Sequence, residues 1–207
     1  MFGIRLNEEP AYEVLKNEGA CELRQYDDLV IATTTVDGTF QQASDEGFRR
    51  LAGYIFGHNH SHRNFSMTAP VLQTSESKKL QMTTPVLQQP HKQGSSDGQK
   101  QGLSDGWTMS FVLPRSEKFT AAPHPDDDRV KLRPVASQCW AALRYNGKQD
   151  EKQMRLMARE LTEWISSLRG VRATGEIRWA QYDAPFAIPF LRRNEVQIRV
   201  EPIERYQ

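Results

Sequence analysis

The sequence predicts an α+β domain, in which a curved sheet or distorted β-barrel of many short strands is flanked by two long helices. Three observations carry this reading. Two amphipathic helical patterns occur, one directly after Asp37-Gly38 and one shortly after Asn146-Gly147. Around them lie short runs rich in β-branched and aromatic residues, several alternating apolar with polar. The two halves, about 1–88 and 107–207, also repeat one order: strands, a glycine stop, a helix, then more strands. The whole chain, 1–207, is therefore read as a single domain built from two β-α-β halves of similar plan.

In the first half, residues 12–15 and 21–26 are strand candidates parted by the turn-forming trio Asn17-Glu18-Gly19. Residues 29–36 make a longer strand that stops at Asp37-Gly38. The first helix has Thr39 as N-cap and Gln42 at the third position, the pair a capping box requires. Its apolar residues Phe40, Ala43, Phe48, Leu51, Ala52 and Ile55 recur at three- and four-residue spacing, which places them on one wide face. Gly57 fits the position just beyond its last turn. The histidines 58, 60 and 62 follow, then Met67-Thr68-Ala69-Pro70-Val71 and a near copy, Met82-Thr83-Thr84-Pro85-Val86. A proline inside each run points to a bulge or an edge strand. Residues 88–106 have almost nothing apolar and read as a flexible surface loop.

The second half resumes at Trp107, where Trp107, Met109, Phe111 and Leu113 alternate with Thr108, Ser110 and Val112. A polar turn at 123–128 and strands at 130–135 and 139–145 follow. The second helix starts at Asp150, presents Met154, Met157, Ala158, Leu161, Ile165 and Leu168 on one face, and closes at Gly170. Residues 177–182 form a strand, and Val196, Ile198 and Val200 give the last strand its inward face.

Composition narrows the function classes. With 207 residues, 38% hydrophobic and 26% charged, the chain has the make-up of a soluble globular protein able to bury one real core. Its 27 basic and 26 acidic residues are interleaved and leave a net charge of +1, so the clustered positive field of a nucleic-acid binder is missing. Cys21 and Cys139 lack CxxC or metal-type neighbours and read as free thiols of a reducing compartment. The first residues do not follow a signal-peptide pattern, and no apolar run approaches the ~18 residues of a membrane span. A cytoplasmic location is expected.

Taken in order, several pieces carry a family resemblance. They are Pro10-Ala11-Tyr12-Glu13-Val14, Glu22-Leu23-Arg24-Gln25-Tyr26, Gly47-Phe48-Arg49, Tyr54-Ile55-Phe56-Gly57 and the two MT-x-P-V copies. Phe111-Val112-Leu113-Pro114, Tyr182-Asp183-Ala184-Pro185 and Arg192-Arg193-Asn194-Glu195-Val196 extend the series. The chain resembles the SOUL heme-binding protein family over nearly its whole length. The resemblance implies a distorted β-barrel of two pseudo-symmetric halves. It also implies reversible binding of heme or another porphyrin at a shallow apolar site on the first helix and the adjoining loop. Some relatives carry a histidine, suggested as an axial ligand, where this chain has Gln25, which does not ligate iron as an imidazole does.

On this sequence the implied site falls on Phe48, Arg49, Leu51, Ala52, Ile55, His62, Arg63 and Met67. Each has a plainer reading. The helix stripe and Met67 serve equally as core, and Arg49, Arg50 and Arg63 as solvated surface instead of partners for propionates. Tyr54 and Phe56 lie off the stripe and widen the apolar surface. In an extended segment His58, His60 and His62 would share one side and could hold a metal ion or reach heme iron; otherwise they belong to a solvated loop. Asp126-Asp127-Asp128 reads as a solvated run. No GxSxG, HExxH, P-loop or GxGxxG pattern is present. Two further readings compete with a heme carrier or buffer. One is a small-molecule effector-binding module, which a carboxylate in a cleft would favour for cationic ligands; the other is an enzyme acting on a porphyrin.

Overall fold

The computed structural model describes residues 8–75, 106–147, 150–183 and 192–203. The second MT-x-P-V copy and the loop expected up to residue 105 lie outside the described residues. The chain runs β1 (Tyr12–Glu18), β2 (Cys21–Tyr26), β3 (Leu29–Asp37), α1 (Phe40–Ile55), β4 (Val71–Ser75) and β5 (Gly106–Val112). It continues through β6 (Lys131–Val135), β7 (Gln138–Asn146), α2 (Glu151–Ser167), β8 (Val171–Gln181) and β9 (Arg193–Pro202). The α+β class is thus as expected, and no helix among the described residues is long and apolar enough to cross a membrane.

The nine strands of the described residues join one antiparallel sheet in the order β1-β2-β7-β9-β8-β4-β5-β3-β6. The expected barrel is not closed. Among the described residues β1 pairs only with β2, and β6 only with β3, so the sheet keeps two free edges. Both edges carry residues that discourage further pairing: Glu13, Lys16 and Glu18 on β1, and Lys131, Arg133 and Pro134 on β6. The proline expected to mark an edge at the first repeat copy does not do so. Pro70 sits just before β4, and β4 is interior, paired with β5 and β8. A proline there removes no ladder bond because the ladder begins at Val71.

The two strand-to-helix junctions are built alike. Gly38 and Gly147 both take a positive φ, +110° and +119°, that a residue with a Cβ adopts only under strain. In α1, Thr39 Oγ1 accepts from Gln42 N–H while the Gln42 side chain accepts from Thr39 N–H, forming the expected capping box. In α2, Asp150 accepts from Gln153 N–H at 2.9 Å. α1 packs on β3 and β5, and α2 on β7, β8 and β9. Leu51 under α1, and Met154, Leu161 and Ile165 under α2, are buried between helix and sheet. Burial of each such side chain stabilises by roughly 1.5–3 kcal/mol. Cys21 and Cys139 are free thiols, and burial pushes both up from the ordinary thiol range.

Candidate functional site

The inner face of α1 is core. Leu51 is 0% and Ile55 2% exposed, packed with Val30, Ala32, Met109 and Phe111. These two expected site residues are therefore turned onto the sheet. Tyr54, expected to widen the outer surface, is also buried; it stacks on Phe65 at 5.5 Å and donates to Pro123 O. Burial, with Glu117 nearby and Arg63 partly opposing, pushes its phenol up to about 12, so it stays a neutral donor.

What remains outside is a narrower strip. Phe48, Ala52 and Phe56 follow one another at four-residue spacing and so run along one line of the helix. Phe48 is half-buried, with its ring edge-on to Phe111 at 5.4 Å. Ala52 and Met67 are half-buried, and Phe56 is 58% exposed. Arg49 pairs with Glu46 but keeps 77% of its side chain exposed. Arg50, by contrast, is committed to the fold: it donates to Glu46 at 2.7 Å and to Thr35 O at 3.2 Å, tying α1 to β3.

The loop after α1 is a turn, not an extended segment, and Asn59 organises it. Its buried amide donates to Tyr54 O and Arg63 O, and its carbonyl oxygen accepts from Ser61 and Arg63 N–H. His62 N–H donates to Asn59 O at 2.8 Å and His62 takes a φ of +49°. The turn removes the geometry in which His58, His60 and His62 would share a side. Among the described residues no group of three or more His, Cys, Asp or Glu side chains is placed to hold a metal ion. His60 instead faces His124 at 6.0 Å and Asp126 at 3.9 Å. Arg63 lies over the Phe65 ring at 4.7 Å and pairs with Glu117. Asp127 is not simply solvated: its hydrogen bonds to Arg129 outweigh burial and hold it at about 2.

The sequence reading missed a buried polar cluster on the other face of the sheet. Glu195, 0% exposed, accepts from both terminal nitrogens of Arg24, at 2.6 and 3.1 Å. It also accepts from Arg193, Tyr182 Oη at 2.8 Å and Gln197 at 2.8 Å. Arg178 donates to Gln197 and lies over the Trp140 ring at 3.8 Å. Burial raises the Glu195 carboxyl, but hydrogen bonds and charge from Arg24, then Arg193, reverse that and leave it at about 2. Gln25, on the opposite face of β2 from Arg24, donates to Ser137 Oγ and pairs in register with Cys139, which packs against the core under α2. Gln25 thus lies on the same face of β2 as Cys21 and Leu23, which belong to the core that also holds Met154, Leu161 and Ile165 of α2.

Solved structures with this architecture include the C-terminal domain of EcmrR (TM-score 0.59, 11% identity, covering 93% of this chain and 99% of that one). They also include EcmrR in a DNA complex (TM-score 0.58, 11% identity, 88% of this chain), of which this chain spans only 57%. A hydrolase from Listeria innocua aligns with a TM-score of 0.55 at 10% identity, covering 90% of this chain and 94% of that one. At such identities the likeness is one of fold alone. No curated protein matches the chain. A sequence profile does: the family described as SOUL heme-binding protein matches residues 7–199. With nearly its whole length covered, the chain belongs to the SOUL heme-binding protein family.

Proposed function

We propose that the protein binds heme or a related tetrapyrrole reversibly along the outer strip of α1, as a carrier or buffer acting in the cytoplasm. The observation that carries this reading is the line Phe48, Ala52 and Phe56, which the core leaves partly uncovered beside the exposed Arg49. Family membership supports the ligand class. Phe48, Ala52, Phe56 and Met67 would contact one face of the ring, with Arg49 and Arg63 near its carboxylates. Leu51 and Ile55 would support the strip from beneath. His58, His60 and His62 remain the imidazoles next to it, and Gln25 supplies no iron ligand. We also read the two junctions at Gly38 and Gly147 as equivalent points of an internal duplication within one domain.

The energetics allow an uncoordinated ligand. Covering one porphyrin face removes a few hundred Å² from water, on the order of 5 kcal/mol or more before ordering costs. Micromolar affinity is about −8 kcal/mol, so charge-assisted bonds to the carboxylates need add only a few kcal/mol. Hemin titration followed at the Soret band tests the placement. Ala52→Asp sets a carboxylate into the middle of the strip at a half-buried position, with circular dichroism of the variant checking that it is folded. It should weaken hemin binding by about tenfold or more. Unchanged affinity would move the site off α1.

A further inference from the structure

One cavity is lined by no residue of α1, and its chemistry is opposite to that of a heme site. It has a volume of about 660 Å³, within the usual range for small-molecule pockets. Its floor is apolar, formed by Leu29, Val112, Leu113, Pro134 and Val135. Its walls carry five carboxylates, Glu8, Glu9, Asp27, Asp28 and Glu117, against the two cations Arg115 and Lys118. Three of the five are ion-paired, Glu9 with Arg193, Asp27 with Arg115 and Glu117 with Arg63.

The other two, both exposed, take neutral donors among the described residues. Glu8 accepts from Arg115 N–H at 2.7 Å and Asp28 from Ser137 N–H at 2.6 Å. The segment that carries Glu8 and Glu9 is fixed by backbone bonds, Ala69 N–H to Glu8 O and Asp27 N–H to Ala11 O. The cavity wall is thus formed before any ligand arrives. Phe119, 44% exposed, also lines it, and an aromatic ring is a group that attracts a positive charge. With Lys118 in the lining and Arg63, Arg115 and Arg193 as ion-pair partners, carboxylates still outnumber cations by five to four, and an apolar floor under such a rim favours an apolar body with a cationic group over the two carboxylates of heme.

We infer that this cavity is a second ligand site, independent of α1, and that it takes a lipophilic organic cation. Equilibrium dialysis of the intact protein against rhodamine 6G, a cation, and fluorescein, an anion on a similar ring system, tests it. Rhodamine 6G should bind and fluorescein should not. The double variant Glu8→Gln/Asp28→Asn keeps both hydrogen-bond acceptors while removing both charges, and should weaken rhodamine 6G by about tenfold or more. Saturating hemin should leave rhodamine 6G bound, and hemin titration of the double variant should match wild type. The inference is overturned by equal binding of the two dyes, by no binding of rhodamine 6G, or by an unchanged affinity in the double variant. Displacement of the dye by hemin would overturn it too, by merging the two sites. The Ala52→Asp result bears on the heme site alone, so each reading can fail without the other.

Discussion

Glu195→Gln should destabilise the protein by about 3–5 kcal/mol, the cost of removing one partner from a buried ion cluster. The variant keeps the shape of the side chain but removes the buried carboxylate that Arg24 and Arg193 share, leaving them only Glu22 and Glu9 at the partly exposed margin of the cluster. Against a typical total of about 5–15 kcal/mol this is a large fraction, and a urea titration should show the midpoint falling accordingly. The same carboxylate sets an acid limit. Its folded value of about 2 lies below its ordinary 4.5, so its contribution is fully present above about pH 4.5. That contribution is lost as pH falls toward 2, and the wild type should lose stability across this window more steeply than the variant. A variant with an unchanged midpoint would mean that the cluster contributes no net stability.

Leu51→Asp should prevent folding altogether. The side chain is fully buried among Val30, Ala32, Met109 and Phe111, where removing a leucine side chain alone costs about 2–5 kcal/mol. A carboxylate without a partner adds a further desolvation penalty. Near-ultraviolet circular dichroism should show no fixed tertiary packing, and hemin binding should vanish with it. That loss would report the fold and not a contact with the ligand, which is why the half-buried Ala52 is the more informative position on α1. A folded Leu51→Asp protein melting within a few degrees of wild type would show that this face of the helix is not core.

The local rules that sequence exposes best are the ones the structure reproduces most closely. The Thr39 and Gln42 capping box, the Asp150 cap and the glycine stops depend on a few neighbouring residues, and all appear where the sequence puts them. The strand order is non-local, and only pairing reveals that the sheet stays open at β1 and β6. β9 shows the limit of alternation. Val196, Ile198 and Val200 pack in the core under α2 on the expected inward face, but the alternating Glu195 and Gln197 are equally buried on the opposite face. A polar residue in a period-two pattern reads as solvent-facing unless a charged partner far along the chain, here Arg24, comes to cover it.

The site was legible in outline. Periodicity marks α1 as amphipathic but does not say which part of a wide apolar face a ligand meets, and Leu51, Tyr54 and Ile55 proved to be core while Phe56 stands exposed. The histidine alternation was misleading because it assumed an extended chain, whereas the Asn59 side chain folds that segment into a turn. The acid-lined cavity joins Glu8, Asp28 and Glu117, residues too far apart in sequence to form a motif.

The heme proposal rests on apolar contact at α1, not on an iron ligand, and metal-free protoporphyrin tests that most directly. Its affinity, followed by porphyrin fluorescence, should lie within about tenfold of hemin, a difference of about 1.4 kcal/mol. If hemin binds and protoporphyrin does not, the iron is coordinated and the claim of apolar holding is wrong. His58, His60 and His62 would then be the first side chains to replace.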